Sequence, residues 1–170
     1  VNGVPLLERN IKYLQSYGIN DFVINIHHFG GQILAFLAEN DNFGANIEIS
    51  NESDELLETG GGLLFAKRFL ENEKTFLIMN VDILTDLNIT NLINIHELKG
   101  GMVTLAVSDR DSTRKLMFND KMYLKGWKNL TTNKKTVVGG IFKLRELAFS
   151  GIHCVNSEIF TKITRTGKFS

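Results

Sequence analysis

The chain has 170 residues, 43% of them hydrophobic, and nineteen basic residues balance nineteen acidic ones to a formal net charge of zero. That balance excludes a global field toward nucleic acid or an anionic membrane surface, and no apolar run approaches the roughly 18 residues of a membrane-spanning helix. The one cysteine, Cys154, excludes an internal disulfide and suits a reducing compartment. The expectation is a cytoplasmic protein without a nucleic-acid or membrane partner.

Pro5, the only proline, sits where a first helical turn accepts it. Leu6, Leu7, Ile11 and Leu14 follow at helical spacing, and Gly18 supplies a stop. Residues 22–26 read as a strand, and Ile33, Phe36 and Leu37 mark a second helix ending near Asn40. A short strand is expected at 47–49, and a third helix at 61–70 with Leu63, Leu64 and Phe69 on its apolar face. Residues 76–79 are four apolar residues in a row, the pattern of a strand covered on both faces in a parallel sheet. Thr90 is expected to cap a fourth helix carrying Leu92, Ile93, Ile95 and Leu98, with His96 on its surface. Helix and strand alternate throughout this half, which predicts a doubly wound α/β arrangement with a mostly parallel sheet.

After Gly100 and Gly101 the texture changes. A strand is expected at 102–107, a hairpin from 116–118 through Asn119 and Asp120 to 122–124, and a polar turn at 131–135. Another strand follows at 148–155, and Asn156 caps a last helix running to Ile163. Without an internal repeat or a low-complexity linker, residues 1–170 read as a single domain with a mixed sheet. Val1 is not preceded by a methionine, and the polar residues 165–168 lead into Phe169 as another element would begin. The chain is therefore expected to be a piece of a longer one.

Four segments carry residue types suited to chemistry. Glu58, Thr59, Gly60, Gly61 and Gly62 fall between a strand and a helix. Glycines there admit a ligand close to the backbone, and free N–H groups at the helix start suit an anion or a polar base edge. A plain glycine turn fits the same residues. This is neither a Walker loop nor the G-x-G-x-x-G fingerprint. Asn80, Val81 and Asp82 follow the apolar strand. Open α/β sheets bind ligands at the carboxyl ends of strands, and one carboxylate there can hold Mg²⁺ that also bridges substrate phosphates. Asp82 also suits a simple strand-end turn, and Asp86 can assist it or cap the next turn. His27 and His28 read as a hydrogen-bonded loop pair, because sequence neighbours point different ways and no acid or Cys stands at ligand spacing. Phe149, Ser150, Gly151, Ile152 and His153 place a glycine inside a strand, which marks either a bulge or close approach of another group. Trp127, after Gly126, fits stacking on a sugar or base, or a place in the core.

Together these segments resemble the sugar-1-phosphate nucleotidylyltransferases (NDP-sugar pyrophosphorylases), in the branch acting on mannose-1-phosphate or N-acetylmuramic acid-1-phosphate. Gly3, Val4, Pro5, Leu6, Leu7 and Glu8 resemble the "G-x-P-L-L-E" that opens that family's first long helix, and Asn25, Ile26, His27 and His28 resemble the end of its second strand. The stretch from Leu56 through Gly62 is similar to "L-L-E-T-G-G-G", which holds the nucleoside, and 80–84 resembles "N-G-D-x-L", with Val81 in place of the glycine. Thr59 and Asp82 stand 23 residues apart, matching the family's helix–strand unit. Residues 149–153 resemble "F-T-G-I-H", and 167–170 the start of a further segment.

The resemblance implies a three-layer Rossmann-like nucleotidyltransferase fold with a mostly parallel sheet. It also implies a reaction in which an NTP (UTP or GTP) and a sugar-1-phosphate give an NDP-sugar and pyrophosphate. Asp82 would be the catalytic and Mg²⁺-holding residue. Glu58, Thr59, Gly60, Gly61 and Asn80 would bind the nucleotide, and Phe149, Ser150, Gly151 and Trp127 the sugar phosphate. Catalysis of this kind is positioning and charge neutralisation without a covalent enzyme intermediate. The family's leading "G-x-G-T-R-x-x-P-x-T" loop, the "K-P" after it and a second metal-binding Asp are absent from the sequence, so the chain as given is expected to be incomplete for catalysis. Base, sugar and oligomeric state stay open, and a homo-oligomer is compatible with the reading. Two rivals remain: a nucleotide-sugar-dependent glycosyltransferase, which usually shows Asp-x-Asp where Asp82 and Asp86 here stand four apart, and a non-catalytic nucleotide-sugar-binding or assembly subunit of the same fold.

Overall fold

The computed structural model describes residues 1–52, 56–140 and 143–169; Ser170, the last residue of the expected further segment, lies outside them. Helix α1 (Leu6–Gln15) starts after Pro5, whose φ of −57° suits its place as N-cap. Its chain leaves through Gly18 at φ +80°, where the Ile19 N–H returns to the Leu14 carbonyl at 3.2 Å. Strand β1 (Asp21–Ile26), helix α2 (Gly30–Glu39), a 3₁₀ turn (Asp41–Gly44) and strand β2 (Asn46–Asn51) form one right-length crossover unit, and β1 pairs parallel with β2 from Asp21↔Asn46 to Ile26↔Asn51.

The expected third helix is two pieces, α3 (Glu58–Phe65) and α4 (Lys67–Leu70), broken at Ala66. Strand β3 (Thr75–Met79) follows, then α5 (Ile89–Lys99). Asn88, not Thr90, caps α5: its Oδ1 accepts from the Asn91 N–H at 2.9 Å. His96 is 3% exposed rather than on the surface, with Nδ1 2.9 Å from Thr104 Oγ1. Strands β4 (Val103–Ser108), β5 (Arg114–Phe118), β6 (Leu124–Asn129), β7 (Lys134–Val137) and β8 (Arg145–Asn156) and helix α6 (Ile159–Lys162) complete the chain. The hairpin turn is longer than expected, since Met122 takes φ +60° within it, and the polar stretch at 131–135 runs into β7.

The sheet is mostly antiparallel, which corrects the sequence expectation. Among the described strands, β1 and β2 form a separate parallel pair, whereas in the six-stranded sheet β3–β8, β4–β8, β5–β6, β5–β8 and β6–β7 are all antiparallel. The reason lies in β8. Residues 152–156 run between β3 and β4, opposite to both, so a strand from far along the chain separates the apolar strand at 75–79 from the one that follows α5. The short links between β5, β6 and β7 then permit only hairpins.

Alternation along β8 sends its side chains to two faces. Ile152 and Cys154, both 0% exposed, join Leu14 of α1, Ile89 and Leu92 of α5 and Ala106 of β4 in one core. Val155 joins Phe76 of β3 and Phe160 of α6 on the other, with Leu63, Leu64 and Leu70 from α3 and α4 against them. Helices thus cover both faces of the central strands. Phe76 and Phe160 stack with centroids 5.8 Å apart.

Candidate functional site

Apart from Trp127, the sequence-predicted residues gather around two loops. The first is the turn after β3. The Asn80 N–H donates to the Gly151 carbonyl at 2.9 Å, extending the β3–β8 ladder by one bond beyond Met79↔Ile152. On the other side, Asn10 of α1, a buried amide, donates from Nδ2 to the Val81 carbonyl at 2.8 Å. Asn80, Val81 and Asp82 are exposed, so the turn is held at its backbone while the Asp82 carboxylate faces solvent. Gly151 lies in the left-handed region at φ +76°, and a Cβ there would come within 2.6 Å of Ile83 Cδ1. Both readings of a glycine inside this strand hold: the β4–β8 register shifts here, with Leu105↔His153 followed by Val107↔Phe149, and the group that approaches Gly151 closely is the Asp82 turn. The turn also sits where β8 changes partners: residues 145–147 pair with β5 and 152–156 with β3.

Around Gly151, Ser150 Oγ donates to Ser108 Oγ at 3.3 Å, and the Phe149 carbonyl accepts from Arg110 Nη2 at 3.0 Å. The Phe149 ring lies 5.4 Å from that of His153, whose Nδ1 is buried without a hydrogen-bond partner among the described residues. Burial pushes the His153 imidazole down to about 4, so it is neutral at pH 7. Trp127 does not join this group. It pairs with Leu116 on β5, which is level with Leu147, so Trp127 stands two strands from β8 and is half exposed.

The second loop is the glycine run at the start of α3. Glu58 opens the helix at φ +62°, a conformation L-residues occupy at a cost of about 1–2 kcal/mol. The side of each glycine where a Cβ would sit faces protein atoms. A Cβ on Gly60 would lie 2.3 Å from the Phe169 ring, one on Gly61 2.4 Å from the Gly167 carbonyl, and one on Gly62 2.5 Å from Glu52 Oε1. The N–H groups of Gly60 and Gly61 are also taken, both donating to the Phe169 carbonyl at 2.9 and 3.1 Å, while the Phe169 N–H returns to Leu57 at 3.1 Å. Glu58 and Thr59 are the exposed members of the run.

Sequence reading missed Glu52, which ties this loop to β1. Its backbone N–H donates to Ile26 at 2.8 Å and its carbonyl lies 2.7 Å from His27 Nδ1. His27 is therefore a hydrogen-bonded loop histidine, and its ring packs on His28 at 4.3 Å. Asn10 was missed too. Both are buried polar residues, a signal that becomes visible only with burial in hand.

Among the described residues, no group of three or more His, Cys, Asp or Glu side chains could hold a metal. The hard carboxylate of Asp82 still fits Mg²⁺, an ion that takes one or two protein carboxylates and fills its remaining positions with water and phosphate oxygens.

The sequence pattern of the nucleotidyl transferase family matches residues 1–116. The chain belongs to that family. Among members with curated descriptions, it is 32% identical over 106 residues to a mannose-1-phosphate guanyltransferase of Gibberella zeae, covering 61% of this chain and 29% of that one. It is 25% identical over 167 residues to a probable glucose-1-phosphate cytidylyltransferase of Bacillus subtilis, covering 88% and 66%. It is 37% identical over 90 residues to an N-acetylmuramate alpha-1-phosphate uridylyltransferase of Neisseria meningitidis, covering 53% and 38%. This family member thus spans less than two thirds of each relative's length. Its fold matches the crystal structure of HddC from Yersinia pseudotuberculosis complexed with GMP-PN, with a TM-score of 0.77 at 18% identity over 99% of this chain and 69% of that one. No helix among the described residues is long and apolar enough to cross a membrane.

Proposed function

We propose that this chain provides the nucleotide and sugar-phosphate sites of a sugar-1-phosphate nucleotidylyltransferase, which joins an NTP to a sugar-1-phosphate and releases pyrophosphate. Residues 1–170 would act as one nucleotidyltransferase-like domain. The observation that carries the reading is the bond from Asn80 N–H to Gly151: it joins the Asp82 turn to the strand segment assigned to the sugar phosphate. Family membership and the sugar-1-phosphate substrates in the relatives' names support the same chemistry.

On this reading the sugar-phosphate oxygen attacks the α-phosphorus in line. The chain's part is to orient both reactants and meet the developing charge. Asp82 would hold Mg²⁺, which supplies charge neutralisation at the phosphates when bound. Glu58 and Thr59, exposed at the start of α3, would contact the nucleoside, with Gly60 and Gly61 shaping the backbone beneath it. Asn80 would contact the nucleotide beside the metal, and Phe149, Ser150 and Gly151 would flank the sugar phosphate. The relatives' names include guanylyl, cytidylyl and uridylyl transfer, so GTP, CTP and UTP are all candidates.

The test is pyrophosphate release by the full-length protein with each of these NTPs and a panel of sugar-1-phosphates. Turnover of one pair is expected, and Asp82→Ala is expected to lower it at least about a hundredfold, in line with loss of a charge-stabilising group. An unchanged rate in Asp82→Ala removes the metal assignment. Sugar transfer to an acceptor without pyrophosphate release points to the glycosyltransferase reading instead.

A further inference from the structure

A carboxylate is costly to bury, and Glu52 is only 4% exposed. Both of its oxygens are used. Oε1 accepts from Asn25 Nδ2 at 2.6 Å, and Oε2 accepts from the Leu57 backbone N–H at 2.9 Å. Asn25 is the penultimate residue of β1, and Leu57 is the residue from which α3 starts. One side chain therefore spans the end of a strand and the entry to the glycine run.

The local backbone explains why such a tie is needed. Leu57 stands at the N-cap position of α3 and has no side-chain oxygen to offer, and no side chain at that position caps the helix. Glu52 supplies the acceptor from five residues upstream, with a negative charge at the positive end of the helix dipole. Directly after Leu57 the chain enters the left-handed conformation of Glu58. Such a conformation persists only when its surroundings over-determine it. Gly62 completes the fit, since a Cβ there would lie 2.5 Å from Glu52 Oε1 and 2.7 Å from Asn25 Nδ2.

We infer that Glu52 is the positioning residue of the nucleotide loop: through Asn25 and the Leu57 N–H it fixes Glu58 and Thr59 in the orientation that receives the nucleoside. Glu52 does not touch the nucleotide itself. The inference rests on the assignment of Glu58 and Thr59 to nucleotide binding.

The pair can be inverted without changing its shape. Asn25→Asp alone sets two carboxylates 2.6 Å apart and removes the donor. Asn25→Asp combined with Glu52→Gln restores one donor and one acceptor across the same gap, and leaves the Gln oxygen for the Leu57 N–H. In the full-length protein, Asn25→Asp is expected to weaken the Kd for the preferred NTP (GTP, CTP or UTP) by about tenfold or more, the scale of a lost charge-assisted bond. The Kd for the sugar-1-phosphate should stay within about twofold, and the double variant should recover most of the nucleotide affinity. Hydrogen exchange at Leu57 should accelerate in Asn25→Asp and slow again in the double variant. An unchanged nucleotide Kd in Asn25→Asp, an equal loss for both ligands, or no recovery in the double variant overturns the inference. Unchanged exchange at Leu57 overturns the tie on structural grounds alone. A wild-type protein that binds none of the three NTPs overturns the proposed function, a result distinct from any of these.

Discussion

Gly151→Ala tests the junction between β8 and the Asp82 turn. Two costs add at this position. The backbone φ of +76° forces a β-carbon into the left-handed region, at about 1–2 kcal/mol. The new methyl would also sit 2.6 Å from Ile83 Cδ1 and 2.8 Å from Cγ1, well inside the ~4 Å of comfortable carbon contact. Overpacking of this kind costs typically about 1–3 kcal/mol. The expected destabilisation is about 2–5 kcal/mol, or roughly 5–15 °C in Tm for a chain of this length. The two costs separate in a double-mutant cycle with Ile83→Ala. Shortening Ile83 removes the clash and leaves the backbone strain, so the double variant should be more stable than the sum of the singles predicts by about 1–3 kcal/mol. Urea denaturation of the four proteins supplies the numbers. A Gly151→Ala loss below about 0.5 kcal/mol, or strict additivity with Ile83→Ala, refutes the account of why glycine stands here.

Two further predictions concern buried titratable groups. The His153 pKa is held near 4 by burial, below its unfolded value of 6.5. The unfolded chain therefore takes up a proton first on acidification, and the stability from neutral His153 is present above pH 6.5 and lost as pH falls toward 4. Between pH 7 and pH 5 this amounts to about 2 kcal/mol. His153→Leu should remove that part of the pH dependence in parallel urea titrations, and equal slopes for both proteins would contradict it. Cys154 is fully buried, with its thiol pushed up to about 11. It should resist a disulfide-exchange reagent at pH 8 until denaturant is added, and rapid labelling of the native protein would show that this core opens.

Much of the local structure was legible in the sequence because it depends on near neighbours. The helical spacing of Leu6, Leu7, Ile11 and Leu14 and the runs of β1, β2 and β3 are encoded within a few residues. What failed depends on distant partners. His96 read as a surface residue because its partner, Thr104, lies across a turn on β4. The sheet read as mostly parallel because nothing in β3 announces that β8 will pair with it from far along the chain. The same holds at the candidate site. The motifs at 58–62, 80–82 and 149–151 stood out by composition, but Glu52 and Asn10, which hold two of those loops, resemble ordinary polar residues until burial is known. The neighbours that leave no room for a side chain at Gly60, Gly61 and Gly62 are Phe169, Gly167 and Glu52, and two of these come from a segment more than 100 residues further along the chain.

The position of β8 has a consequence for how the chain acquires its structure. Among the described residues, β3 and β4 have no ladder with each other, and each pairs with residues 148–156. Closing the β3–β8 ladder requires a loop of some 70 residues, which carries an entropic cost that local hairpins such as β5–β6 avoid. During synthesis from the N-terminus, the α1–β1–α2–β2 unit can form while the apolar edges of β3 and β4 wait unpaired. The central core is completed only when the strand carrying Ile152, Cys154 and Val155 arrives, so the slow, aggregation-exposed stage of folding lasts until β8 has emerged.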